Sequence, residues 1–189
     1  EDMNSERVMD STSALALKDI PKKLVVIGGG YIGLELGTVY ASLGSEVTVI
    51  EMTDGLLPGA DRDLVKPLAA KLTELFKGIH LSTKVTGIKV TDKGVEISVE
   101  GKDLPEKISA DKVLISVGRR PNSDGIGLEN TEVEVDQFGF VPSDESCRTR
   151  DKRILSIGDI SGQPMLAHRA IRQGYVAAEV LAGKPSRFD

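Results

Sequence analysis

Lys23-Leu24-Val25-Val26-Ile27-Gly28-Gly29-Gly30-Tyr31-Ile32-Gly33-Leu34-Glu35 is the stretch that decides how this chain folds. Its first five residues are a compact apolar run of the type that fills a buried parallel strand. Glycines end the run. Apolar residues then recur at Ile32, Leu36, Val39 and Leu43, a helical spacing, and Gly44 stops the helix. Gly28, Gly30 and Gly33 thus form G-x-G-x-x-G at a strand-to-helix junction. The triplet alone is a weak signal, and its flanks give it meaning. Gly28 permits the tight turn. Gly30 has no Cβ, so the backbone can approach a diphosphate closely. Gly33 lets the helix lie on its strand. The start of the helix offers free N–H groups and partial positive charge to phosphates.

Val47 to Ile50 reads as a second β-branched strand. Glu51 ends it, eighteen residues beyond Gly33. A carboxylate there can accept hydrogen bonds from both ribose hydroxyls of an adenosine half and would repel a 2′-phosphate. Met52 and Thr53 supply no cation to hold one, so NAD is favoured over NADP. The competing reading makes Gly28–Gly33 a structural turn and Glu51 a solvated strand end.

Further along, Asp61 to Phe76 has helical periodicity, with Asp61 as N-cap and an apolar stripe of Leu64, Leu68, Leu72, Leu75 and Phe76. Pro67 is expected to kink this helix or shift its start. From Ile79 to Gly101 the period changes to two. Asp92-Lys93-Gly94 is a turn, which predicts an antiparallel hairpin or a three-stranded meander. Lys112 to Val117 returns to a parallel-type strand. Beyond Asn122, short strands are expected near Glu132–Val135 and Phe138–Val141 and a buried one at Ile154–Ile157. A helix is expected from about Ala167 to Leu181. The fold class implied is α/β: a Rossmann-like parallel sheet with an inserted antiparallel meander, followed by part of a second domain.

Composition narrows the function. Of the 189 residues 40% are hydrophobic and 28% charged, and the net charge is −5 with both signs interleaved. No basic stripe suggests nucleic acid, and no apolar run approaches the roughly 20 residues of a membrane span. The polar, acidic N-terminus does not read as a targeting peptide. The single cysteine, Cys147, excludes a Cys-x-x-Cys redox or zinc motif and fits a reducing compartment.

A family resemblance is carried by particular residues. Gly28 to Glu35, Glu51, Gly118-Arg119-Arg120-Pro121-Asn122 and Ile157-Gly158-Asp159 stand in the order of the pyridine nucleotide–disulfide oxidoreductases. Gly162-Gln163-Pro164-Met165-Leu166-Ala167-His168 and Asp10 to Leu17 are similar to the dihydrolipoamide dehydrogenase branch. The resemblance covers essentially the whole chain. It implies a lead-in from an FAD domain over 1–20, an NAD-binding domain over 21–122 and the C-terminal portion of the FAD domain over 123–189.

It also implies roles. Gly28, Gly30, Tyr31, Ile32, Gly33, Glu35, Glu51, Val85 and Gly118 would serve NAD: the diphosphate loop, the ribose carboxylate at 51, an adenine neighbour at 85 and a backbone contact near the nicotinamide at 118. Glu35 would pair with a lysine outside this chain, or else be an exposed helix carboxylate. Tyr31 is either a gate over the flavin or an aromatic covering the glycine turn. Asp159 would bind the ribityl chain of FAD, and Met165, Leu166 and Ala167 would border its ring, with the site incomplete here. The parent reaction is oxidation of dihydrolipoyl groups by NAD⁺ through a dithiol and FAD, in a homodimer serving a lipoyl-bearing 2-oxoacid dehydrogenase complex. The compartment implied is bacterial cytoplasm, with the mitochondrial matrix as an alternative.

No catalytic residue is assigned within the chain, because the family's dithiol and its His–Glu base pair match nothing in these residues. His168 follows the flavin-contact turn and is not read as a base. His80 is structural or exposed, and Cys147 has neither a second thiol nor an activating base. The reading is thus an inactive NAD(H)-binding portion of such an enzyme, with exposed apolar surface that favours self-association. The alternatives are a stand-alone NAD-binding module, a subunit of another flavoprotein disulfide reductase, and a domain whose nucleotide site is unused.

Overall fold

A computed structural model describes residues 5–101 and 105–189. The chain divides into two compact units, Glu1–Gly118 and Arg119–Asp189. In chain order the elements are β1 (Val8–Met9), α1 (Ser11–Leu15), β2 (Lys23–Ile27), α2 (Tyr31–Ser42), β3 (Glu46–Ile50), α3 (Arg62–Leu75), β4 (Gly78–His80), β5 (Lys84–Thr91), β6 (Gly94–Glu100), β7 (Lys107–Ala110), β8 (Lys112–Ile115) and α4 (Ala167–Leu181).

The first unit holds a five-stranded parallel sheet in the order β1-β8-β2-β3-β4 and an antiparallel sheet in the order β5-β6-β7. Alternation along the parallel strands separates two cores. Leu24, Val26, Val47, Val49 and Leu114 pack with Leu34, Tyr40, Leu72 and Phe76 of the helical side. Val25, Ile27, Ile50 and Val113 pack with Val95, Ile97 and Val99 of the antiparallel sheet. Both faces of β2 are therefore buried, which is why its five residues show no polar alternation. The strand order reverses at β2, since β3 lies on one side and β8 on the other. A crevice at the carboxyl ends of such strands is where open α/β sheets take ligands.

Three features of this unit are set by the tertiary structure. First, the lead-in joins the sheet: Val8 and Met9 pair in parallel with Val113 and Leu114, and the buried Tyr40 hydroxyl donates to Ala14 O at 2.8 Å. Asp10 caps α1 in a reciprocal bond with Ser13. Secondly, Ile79 belongs to the parallel sheet, opposite Val49, so the antiparallel region starts only at Lys84.

Thirdly, the helix faces are rotated from the apolar stripes read along the sequence. α2 buries Gly33, Leu34, Leu36, Gly37 and Tyr40, while Val39 and Leu43 are exposed. A Cβ on Gly37 would stand 3.2 Å from Phe76 Cζ, so glycine rather than a large side chain marks the line of contact. α3 buries Val65 and Leu72 and leaves Leu64 74% exposed. It runs through Pro67 from Arg62, and Asp61 makes no side-chain cap bond.

The second unit packs α4 over a small core of Cys147, Val176 and Ala177, with Leu155, Val180 and Phe188 against it. The bounds of α4 are those its periodicity implied. The expected strands at Glu132–Val135 and Phe138–Val141 are not formed, and Ile154–Ile157 reduces to one bridge between Leu155 and Arg148. The physical reason is competition from aspartate side chains. Asp136 accepts the N–H groups of Phe138 and Phe140 at 2.8 and 2.9 Å, and Asp144 those of Ser146 and Arg148, both at 2.9 Å. These turns consume donors that a ladder would need.

Asp151 is buried and accepts from Arg153 through Nη2 at 2.7 Å, Nε at 2.9 Å and the backbone N–H at 3.1 Å. Those bonds hold its carboxyl well below the ordinary carboxylate range. A depressed folded-state value adds stability that is present above the unfolded value of about 3.9 and is lost as pH falls through the folded value. We therefore expect Asp151→Asn to lower stability at neutral pH and to flatten its acid dependence. Urea unfolding between pH 2.5 and 7 checks this; parallel wild-type and variant profiles would contradict it.

Candidate nucleotide site

The glycine turn closes β2. Gly28 N donates to Ile50 O at 2.9 Å, and Ser116 N donates to Ile27 O at 2.8 Å, so the turn is fixed to the strands on both sides. Gly28 has φ +109°, and a Cβ there would lie 2.5 Å from Ser116 O. A Cβ on Gly33 would lie 2.3 Å from Gly28 O and 2.5 Å from Ser116 Oγ. A Cβ on Gly30 would meet nothing within 4 Å. Gly28 and Gly33 are thus packed against protein, whereas Gly30 is open. Gly30 caps α2 without a side-chain bond, so no cap side chain occupies the first-turn N–H groups.

Ser116 escaped the sequence reading. Its hydroxyl lies 3.0 Å from Ile27 O and 3.4 Å from Gly28 O, beneath the turn. No spacing in the chain points to it, because it lies 88 residues from Gly28 and only the β2–β8 pairing brings it there.

Glu51 is 8% exposed and lies directly against the glycine turn. Its Oε2 accepts from Gly29 N at 2.6 Å, and its Oε1 from Thr53 N at 2.7 Å and Thr53 Oγ1 at 2.8 Å. Burial alone raises its pKa. The bonds from Thr53 and Gly29 outweigh burial and hold the carboxyl below its ordinary value. A buried anion therefore sits at the end of β3, bonded to the loop that begins α2. The loop after Thr53 is tied to the same turn, since Leu57 N donates to Gly29 O at 2.9 Å. Arg62, the first cation after Glu51 in sequence, donates to Leu56 O, Leu57 O and Ala60 O at 2.7–3.1 Å. Its guanidinium is committed to the backbone of that loop.

The remaining residues proposed for NAD are dispersed. Tyr31 and Glu35 are exposed on α2, and Ile32 is half-buried against the helix-side core. Val85 is half-buried on the antiparallel sheet, beside a register shift at Gly87. Gly118 is exposed, at the end of the first unit. A cleft of about 460 Å³ in this unit lies elsewhere, lined by Glu6, Lys18, Asp19, Tyr40 and Lys112 among others. Its Lys18–Glu6 and Lys112–Asp19 pairs satisfy each other, and no glycine of the turn borders it. We place the candidate site at the turn, where the backbone donors are.

In the second unit Asp159 pairs with Arg119, whose Nη1 is 2.8 Å from Oδ2 and 3.2 Å from Met165 O. Met165 is buried, Leu166 caps α4, and Ala167 and His168 are exposed at its start. This ion pair ties Asp159 to Arg119 within the same unit. Two side chains that sequence reading passed over hold its turn from α4. Gln173 Oε1 accepts from Gly158 N at 2.8 Å and lies 3.2 Å from Ser161 Oγ, and Arg169 Nη1 donates to the carbonyls of Gly158 and Gly162. Gln173 is buried, so Gln173→Leu strands the Gly158 N–H. We expect a loss of about 1–3 kcal/mol and faster exchange of the Gly158 amide. Unchanged exchange would remove this role. Cys147 is buried with its Sγ 3.8 Å from Gln173 O, and burial, then Asp144, push its thiol up. It packs as an inert core residue.

The profile of a family described as pyridine nucleotide-disulphide oxidoreductase matches residues 1–174. The chain is 48% identical over 184 residues to a dihydrolipoyl dehydrogenase of Vibrio parahaemolyticus, covering 97% of this chain and 38% of the relative. It is 47% identical to a dihydrolipoyl dehydrogenase of Bacillus subtilis, covering 98% of this chain and 40% of the relative. The chain thus spans about two fifths of the length of these curated relatives. Its fold superposes with a TM-score of 0.86 on the HOCl-induced flavoprotein disulfide reductase RclA of Escherichia coli, at 28% identity, covering 99% of this chain and 42% of the other.

Proposed function

Since the chain belongs to the pyridine nucleotide–disulphide oxidoreductase family, we propose that it is the NAD(H)-binding portion of a dihydrolipoyl dehydrogenase. The observation that carries this is the buried Glu51 carboxylate, bonded to Gly29 N at 2.6 Å, beside an open Gly30. Residues present in the chain fit the nucleotide. The uncapped start of α2 and the Gly30 backbone offer donors to a diphosphate. Glu51 accepts from ribose hydroxyls and repels a 2′-phosphate, and Arg62 is already spent on carbonyls. Val85, Gly118, Tyr31, Ile32 and Glu35 complete the proposed contacts.

FAD is the second proposed cofactor. Asp159, Met165, Leu166 and Ala167 would contribute part of its site, and the uncapped start of α4 would favour negative charge there. A bound flavin supplies two-electron transfer between a dithiol and a nicotinamide. The 189 residues contain one cysteine, and it is buried, so we propose that they do not turn over dihydrolipoyl substrate by themselves. The domain assignment proposed is a lead-in over 1–20, NAD binding over 21–122 and FAD binding over 123–189. Partners proposed for the whole enzyme are a second copy and a lipoyl-bearing 2-oxoacid dehydrogenase complex, in bacterial cytoplasm. No helix among the described residues is long and apolar enough to cross a membrane.

Titration of the chain with NADH and with NADPH, followed by nucleotide fluorescence, tests the reading. NADH is expected to bind and NADPH to bind at least tenfold more weakly, a difference of about 1.4 kcal/mol. Equal affinity for the two, or no binding of NADH, would remove Glu51 and the glycine turn as the nucleotide site.

A further inference from the structure

We propose that Thr53 is the positioning residue that makes Glu51 selective for an unphosphorylated ribose. This rests on the nucleotide reading above and adds a residue to it. A carboxylate selects against a 2′-phosphate only if its charge stays where the phosphate would arrive. Glu51 has a flexible side chain, and in an open strand end it could rotate away. Here Oε1 is gripped by two donors from one residue, the N–H and the hydroxyl of Thr53. Gly29 N grips Oε2 from the opposite side. The carboxylate is held at both oxygens.

The hydroxyl has a second property. It carries one hydrogen and has two acceptors within reach, Glu51 Oε1 at 2.8 Å and Gly55 O at 2.9 Å. Each carboxylate oxygen accepts about two bonds. With both Thr53 donors engaged, Oε1 is saturated and Oε2 retains one place. That remaining place on Oε2 is left for a ribose hydroxyl while Thr53 keeps hold of Oε1. The carboxylate therefore stays where a 2′-phosphate would arrive, and such a phosphate brings acceptors and no donor for the open place.

Position 53 is read only through this chemistry, so the test uses variants that separate hydroxyl from bulk. Thr53→Val keeps the shape and the N–H but removes the hydroxyl, and Thr53→Ser keeps the hydroxyl. Wild type, both variants and Glu51→Gln are titrated with NADH and NADPH between pH 5 and 8. The preference of Thr53→Val for NADH over NADPH is expected to fall by about tenfold, the scale of one lost hydrogen bond to a charged group. Its NADH binding should also weaken toward acid at a higher pH than in wild type, because Glu51 loses a bond that favours its charged form. Thr53→Ser should match wild type in both measurements. A purely structural role would lower the melting temperature of Thr53→Val and leave the preference and the pH profile in place, and that result would overturn the proposal. If wild type binds no NADH, or Glu51→Gln binds as wild type does, the nucleotide reading itself fails. A Thr53→Val defect that serine does not rescue also counts against the hydroxyl.

Discussion

Gly28→Ala is expected to abolish measurable NADH binding and to cost the first unit about 2–6 kcal/mol. Two separate terms contribute. The backbone at 28 has φ +109°, a region in which an L side chain is strained by about 1–3 kcal/mol. The added Cβ would also stand 2.5 Å from Ser116 O, a backbone atom of the neighbouring strand end that cannot rotate aside. Overpacking of this kind costs about 1–3 kcal/mol. Against a total stability of roughly 5–15 kcal/mol, the variant remains foldable but its turn is displaced. Gly30→Ala is the contrasting case. Its φ is −77° and a Cβ there meets nothing within 4 Å, so alanine at this cap position costs about 1 kcal/mol or less. It should nevertheless weaken NADH roughly tenfold or more, because the methyl occupies the side from which a diphosphate approaches. Urea unfolding paired with NADH titration separates the two. A stable Gly30→Ala chain with unaltered affinity would mean that the open face at Gly30 is not where the diphosphate lies.

The second large effect is expected of Glu51→Gln, with NADH affinity falling by about ten- to a hundredfold. Hydrogen bonds to a charged group are worth about 1.5–3 kcal/mol, and two ribose hydroxyls lose their charged acceptor at once. The amide also sits badly among its present neighbours. Gly29 N and Thr53 N both donate to Glu51, and a glutamine has one oxygen to offer them. Its NH₂ therefore faces a donor, which disturbs the glycine turn as well. NADPH should lose far less, since the repulsion against its phosphate disappears with the charge. The two dissociation constants are expected to converge. If the variant keeps the wild-type preference for NADH, discrimination resides elsewhere, and the carboxylate at 51 serves only to fasten the loop.

Much of the site was legible because it is local. The run Lys23–Ile27, the glycines at 28, 30 and 33 and the carboxylate at 51 lie within one strand-helix-strand segment, whose short apolar runs and helical spacing are written in the residues themselves. The bounds of α4 were legible for the same reason. What was misread depends on partners distant in sequence. The stripe Leu64, Leu68, Leu72 has helical spacing, yet α3 turns Val65 and Leu72 inward and leaves Leu64 in solvent. Several faces of a helix with many leucines satisfy the pattern, and only the sheet chooses among them. In the second unit, the short strands expected near Glu132–Val135 and Phe138–Val141 are absent among the described residues. Asp136 captured the donors first, a contest between side chain and ladder that hydropathy does not register.

From its residues alone this protein was committed to an α/β unit with a glycine turn feeding a helix and an acid at the next strand's end, because those features follow from short-range sterics and burial. Tertiary pairing alone decided the rest. It set Ser116 beneath the turn through the β2–β8 register and aimed Glu51 back at Gly29. It also fastened the Asp159 turn with Gln173 from the following helix. Each is a hydrogen bond between groups well apart along the chain, and such contacts depend on which surfaces fold onto one another rather than on any spacing a reader could count.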